Sequence, residues 1–359
     1  MENTNRNTKE FQKVLKHRVH NHFNFNQANM KSTGKSYLKY MFLILSFVGL
    51  YISLFSVIQT PLTLWLCCLT MGLLMAAIGL NISHQAMHGN ISHRKNVNRF
   101  MGYTFNMLGM SDYIWHIKHD VFHHSYTNDF ENDEALKEGD ALRLSPDAPH
   151  KWFHRYQHYY AFVVYALFTI FWAFALDMEK LNRYNRNGHP TKKQGHDFSQ
   201  LLKFWLTKVL YIFAFIFLPL SFLSITFGQW LIGFLTMHII ASLIITHVLQ
   251  VEHLFTGVAN PSAEEQSWMS NQIQGTSNFK TKNPILQWLV GGSNYQIEHH
   301  AFPYISADHF KEIQPILIQT AAEYHITYYE HPGFWIAVKE HYKYLKLCNY
   351  SGTTRIQNP

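Results

Sequence analysis

Residues 62–88, LTLWLCCLTMGLLMAAIGLNISHQAMH, decide the fold. From Leu62 to Ile82 the run carries no Asp, Glu, Lys or Arg. About 20 such residues cross the hydrocarbon layer of a bilayer as a helix. The run then delivers His84 and His88, four apart and so stacked on one helical face. A span with two imidazoles at its mouth speaks for a membrane topology and for a metal half-site at once.

Working outward, Tyr40–Val57 is also uncharged, and Val209–Leu249 is long enough for two crossings, with Gly228 and Gln229 as their turn. The expectation is an all-α integral membrane protein with four transmembrane helices in two hairpins, at about 38–58, 62–82, 207–227 and 230–249, plus a helical cap that carries the metal ligands. The mean hydropathy of −0.13 hides this, because polar segments dilute the runs. A basic N-terminal segment (1–36) precedes the body (37–345), and a short tail (346–359) follows. The first 36 residues contain no short apolar core with a cleavage site, so no signal peptide is expected.

The connections inside each hairpin, around 59–61 and 228–229, hold no Lys or Arg. The other loops hold Arg94, Lys95, Arg99, Lys118, Arg143 and Arg155, then Lys180, Arg183, Arg186, Lys192 and Lys193. The positive-inside rule therefore places both termini and these loops in the cytoplasm. Tyr160–Leu176 is apolar too, but a crossing there would export the lysines after it. It is expected as an interfacial or re-entrant helix at about 160–176. The net charge of +7 suits anionic lipid headgroups rather than nucleic acid, since the basic residues flank the apolar runs. Three cysteines, two of them adjacent in a span, give no disulfide framework.

Two further histidine clusters follow the first. In Trp115-His116-Ile117-Lys118-His119-Asp120-Val121-Phe122-His123-His124, His119 and His123 share an α-helical face and His124 is turned about 100° from His123. In Gln296-Ile297-Glu298-His299-His300 a second splayed pair appears. The topology puts all three clusters on one side. Seven imidazoles exceed what one first-row metal takes and suit two. Neutral imidazole serves Zn, Cu, Fe and Ni, and the absence of thiolates disfavours iron–sulfur and structural zinc sites. Oxidising an unactivated methylene needs an oxidant that no side chain supplies, so iron is chosen on chemistry rather than spacing. His93, His116 and His253 lack the ligand spacing and are expected at the surface or behind the ligands. Asp120, Asp129, Asp133 and Glu298 are candidates to hold imidazole N–H groups from behind.

The boxes HxxxH, HxxxHH and QxxHH resemble those of the membrane fatty-acid desaturases. The likeness extends to Ser125-Tyr126-Thr127-Asn128, Arg143-Leu144-Ser145-Pro146, Thr276-Ser277-Asn278-Phe279 and Gly291-Gly292-Ser293-Asn294-Tyr295, and covers roughly residues 35–345. It is similar to bacterial acyl-CoA and linoleoyl-type members, which implies a bacterial inner membrane. Gln296 in place of a histidine resembles the mark of the front-end subgroup, which acts between an existing double bond and the carboxyl end.

This resemblance implies two iron ions (Fe2+/Fe3+) and O2 as co-substrate. The implied ligands are His84, His88, His119, His123, His124, His299 and His300, with one more from the fourth span. His247 is the candidate there, and His238, nine residues or about 13 Å deeper, is left out. Gln296 is expected at the reaction centre, bonded to a ligand, an oxygen species or water. The substrate implied is a fatty acyl group, as acyl-CoA or lipid-linked, converted to a cis olefin. No His-Pro-Gly-Gly haem motif occurs, so a separate electron donor of cytochrome b5 or ferredoxin type is expected. Gln85 and Met87 depart from the acidic residue and Asn common in the first box. Hydroxylases, ketolases and sphingolipid desaturases share the boxes. A metal transporter is the rival from another class, disfavoured because the clusters sit outside the spans and no repeat is visible.

Overall fold

The computed structural model describes residues 2–56, 60–186, 196–258 and 267–349. Gln59 in the first hairpin turn, Lys192, Lys193 and most of the 346–359 tail lie outside the described residues.

Among the described residues four helices, the first to fourth spans, are long and apolar enough to cross a membrane: Gly34–Ser56, Pro61–Met87, Phe198–Phe222 and Phe227–His253. In each hairpin the second helix opens on a capping box. Thr60 Oγ1 accepts the Thr63 N–H at 3.2 Å, and Thr226 Oγ1 accepts that of Gln229 at 3.2 Å. These caps satisfy backbone donors that lipid cannot. Pro61 has no N–H to strand.

The second and fourth spans are the inner pair. Half of the most apolar window of each is buried, against 22% for the first and third. A Cβ on Gly72 would lie 2.6 Å from Met237 O, and one on Gly233 2.9 Å from Cys68 Sγ. Lipid gives apolar helices no hydrophobic reason to associate, so close backbone approach at small residues decides which spans pair.

The segment expected as one interfacial helix is two helices, Trp152–Ala166 and Phe168–Asn185, bent by 63°. At the bend Ser242 Oγ in the fourth span accepts the Thr169 N–H at 2.9 Å. Thr169 Oγ1 lies 2.9 Å from His238 Nδ1, and Tyr211 OH lies 2.6 Å from His238 Nε2. His238 is thereby occupied as a buried polar tie between three elements. Lys208 of the third span pairs with Asp177 beyond the bend at 2.6 Å, both buried.

The N-terminal segment, expected only as polar and basic, is a helix, Glu2–Phe25. Phe11, Leu15, Val19 and Phe23 recur every four residues and are buried against a core shared with Phe310–Glu323. Arg18 adds an ion pair to Glu323 at 2.7 Å. The same core takes in residues of Trp268–Gln274 and Gln296–Ala301, so the chain's beginning is packed against the elements that bear the third histidine cluster.

Candidate metal centre

Four elements bring histidines together. The second span ends in a π-helical turn, Gly79–Ser83, closed by His84 N–H to Gly79 O, and then presents His84 and His88. Asn81 fixes that turn: its Nδ2 donates to Ala77 O and Leu289 O, both at 2.8 Å. Gly291, at φ +62°, passes so close to Asn81 that a Cβ would lie 1.9 Å from Oδ1. The second element is the π-helical stretch His116–His123, where His124 N–H reaches His119 O. An i→i+5 turn winds more residues than an α turn, so position 124 swings back beside 119. The splay expected for His124 on an α-helix is corrected accordingly: His124 Nε2 lies 3.2 Å from His119 Nε2. The third element, Gln296–Ala301, supplies His299 and His300, both fully buried.

The fourth element is the end of the fourth span, and here the structure corrects the sequence reading. His247 is not at the cluster. Its Nδ1 is 2.7 Å from Leu243 O and its ring stacks on Phe162 at 5.2 Å. His253, expected behind the ligands, takes the place instead, because the helix runs on to residue 253 rather than stopping near 249.

The ligand atoms of His84, His88, His119 and His299 all lie within 4.8 Å of one another, as do those of His123, His253 and His300. His124 joins the two sets, grouping with His299 and His300. The result is two adjoining cradles of imidazole. Several of their nitrogens are buried with no partner among the described residues: Nε2 of His88 and His300, Nδ1 of His124 and His253, and both nitrogens of His299. Each would cost roughly 1–3 kcal/mol if left so. Burial, reinforced by the neighbouring imidazoles, holds His119, His124, His299 and His300 well below the usual histidine range. They are neutral, with lone pairs free to bind a cation. The residues therefore fit two imidazole-preferring metal ions.

Partners behind the rings set their direction. Asp133 lies 2.9 Å from His123 Nδ1 and is itself held by the Asn128 and Ala135 N–H groups at 2.9 and 2.8 Å. Gln272 Oε1 lies 2.8 Å from His300 Nδ1. Asp120 is 3.4 Å from His88 Nδ1 and 2.7 Å from His116 Nδ1. Two acids expected in this role are elsewhere. Asp129 bonds within its own loop, to the Glu131 N–H and Asn132 Nδ2. Glu298 accepts from Asn278 Nδ2 and Tyr328 OH, both at 2.7 Å, and burial pushes its carboxyl up to about 7.

Gln296 Nε2 lies 2.9 Å from His253 Nε2, while its Oε1 is buried without a partner among the described residues. It lines a cavity of about 70 Å³ together with His119, His123 and His253. Phe168, Trp172, Leu249 and Leu254 form the apolar wall of that cavity, and Lys118, Asn128 and Glu138 a polar one.

The family model for fatty acid desaturases matches residues 59–332, a stretch that contains all eight histidines gathered at this site. The chain belongs to this family. Two sn-1 linoleoyl-lipid 6-desaturases are among its relatives. The one from Arthrospira platensis is 29% identical over 96% of this chain and 94% of its own length. The one from Synechocystis sp. is 30% identical over 94% of each. An acyl-lipid (8-3)-desaturase from Physcomitrium patens is 29% identical over 94% of this chain and 71% of its own length. The desaturase described here is thus a multi-pass membrane oxidoreductase that acts on fatty acyl chains, and its histidine boxes meet in one buried site.

Proposed function

We propose that this desaturase inserts a cis double bond on the carboxyl side of an existing one, in a lipid-linked acyl chain, using two irons and O2. The observation that supports this most directly is the pair of imidazole cradles at the head of a cavity with an apolar wall. The names of the three relatives given above, a linoleoyl-lipid enzyme twice and an acyl-lipid enzyme once, support a lipid-linked substrate and a position near the carboxyl end.

His84, His88, His119 and His299 would hold one iron, and His123, His253 and His300 the other, with His124 between them. Bound iron would supply the reduction of O2 and the removal of hydrogen from an unactivated methylene, which no side chain performs. The protein's own part is positioning. Asp133 and Gln272 fix two rings so that their free nitrogens face inward. Phe168, Trp172, Leu249 and Leu254 keep water from the chain and hold its methylenes extended. Gln296 offers an amide oxygen to the cavity beside His253 without competing strongly as a ligand. Electrons come from a separate donor of cytochrome b5 or ferredoxin type, and the histidine side faces the cytoplasm.

Expression in a host without polyunsaturated lipids, supplied with linoleate, tests the reading. Mass spectrometry should find a new double bond between the existing one and the carboxyl end, and the purified protein should hold about two irons. A hydroxylated product, or a bond on the methyl side, would sink it. A tag at residue 190, outside the described residues, should be reached from the same side as both termini. Access from opposite sides would overturn the orientation.

A further inference from the structure

One corner of the cavity carries charge that the metal centre does not use. Lys118, one residue before His119, is 7% exposed. Its Nζ sits 5.1 Å from the Trp115 ring centre and 4.9 Å from that of Trp172, and it pairs with Glu138. All four residues line the cavity that His119, His123, His253 and Gln296 line. A buried ion pair is poor at stabilising a fold, since apolar residues of similar volume often do as well or better. Its place beside the cavity therefore asks for another explanation. Trp115 Nε1 is also buried and has no acceptor among the described residues. An ammonium and an indole N–H are both donors, and together they call for an acceptor oxygen. Glu138 already balances the ammonium, and Asp133 lines the same cavity. A free carboxylate would meet repulsion there, whereas an uncharged carbonyl would not.

We infer that Lys118 is the positioning residue for the carboxyl end of the substrate, its ammonium and the Trp115 N–H holding the carbonyl oxygen of a neutral acyl ester. This rests on the function proposed above and supplies a geometric reason for the position of the new bond. Trp115 also stacks on the His119 ring at 4.4 Å. The indole that donates to the carbonyl thus packs on a ligand ring, which puts the held carbonyl within a few methylenes of the metal centre. Counting from that anchor, oxidation falls close to the carbonyl, and the rest of the chain extends along Phe168, Leu249 and Leu254.

The test measures double-bond position and yield in the same linoleate-fed host, with iron counted on each purified variant. Lys118→Met keeps the stem and removes the donor. It should retain wild-type iron, lower the yield about tenfold, the worth of one charge-assisted hydrogen bond, and scatter the new bond over neighbouring positions. Lys118→Arg should restore a single position. Glu138→Gln should keep the single position and raise the yield at limiting linoleate, because the ammonium no longer has to leave a carboxylate. Wild-type position and yield in Lys118→Met at full iron would overturn the inference. So would Glu138→Gln that loses yield or scatters the bond, since the pair would then be a structural tie; this arm decides even if Lys118→Met fails to fold. A wild-type bond on the methyl side would instead defeat the proposed function, whatever the variants do.

Discussion

The two imidazole cradles present the same donors but are held in place differently. In the cradle of His123, His253 and His300, side chains do the holding. Asp133 is fixed by two backbone N–H groups before it meets His123, and Gln272 meets His300 at 2.8 Å. In the cradle of His84, His88, His119 and His299, the one carboxylate among the described residues is Asp120. It lies 3.4 Å from His88 and is shared with the exposed His116. There the backbone sets His84 and His88, through the π turn at 79–83 clasped by Asn81, and a ring stack on Trp115 sets His119. The first arrangement is sensitive to single substitutions behind the ligands. The second answers to changes in helix geometry.

The largest expected effect separates His253 from His247. His253→Ala should lower turnover at least 100-fold and release one iron first, since even a partner behind a ligand is worth about 10–100-fold. His247→Ala should leave turnover and iron near wild type. Near-wild-type turnover and iron in His253→Ala, by product assay and metal analysis, would mean that His253 is no ligand and the second cradle is incomplete.

A smaller difference should appear behind the rings. Asp133→Asn should weaken iron retention against a chelator about 10–100-fold, and Asp120→Asn by less than about tenfold. Matching losses would erase the distinction between the two cradles. Smaller again, Gln296→His should keep the iron but cut turnover about tenfold or displace the new bond, by adding a ligand where the amide leaves space. Unchanged product and rate at equal iron loading would reduce Gln296 to a packing residue.

Much of the fold was legible from uncharged runs alone, because a bilayer demands about 20 apolar residues and little else matches that length. Hydropathy reports lipid contact, however, and not where a helix stops. The second and fourth spans continue past their apolar stretches to Met87 and His253, where their last turns are buried by protein. Ending the fourth span near 249 is what turned attention to His247 and away from His253. The π turns carry no pattern of their own in sequence, so the return of His124 beside His119 could not be read from spacing. The N-terminal helix was readable: Phe11, Leu15, Val19 and Phe23 repeat every four residues. The basic residues among them make the segment as a whole polar, which hides that repeat. Seven of the eight gathered histidines came from the spacing of the boxes, and the eighth from the coordinates.

The docking of the first helix onto Phe310–Glu323 has a consequence for biogenesis. The second span and His119–His124 leave the ribosome early, but His299, His300 and the helix that receives Phe11 and Phe23 arrive late. At about 5–20 residues per second, roughly 10–35 s separate synthesis of His124 from that of His299. Through that interval the early imidazoles form an open, incomplete set, and the amphipathic N-terminal helix has no seat. Completion of the imidazole set and docking of the N-terminal helix therefore both wait until translation has passed residues 300 and 323.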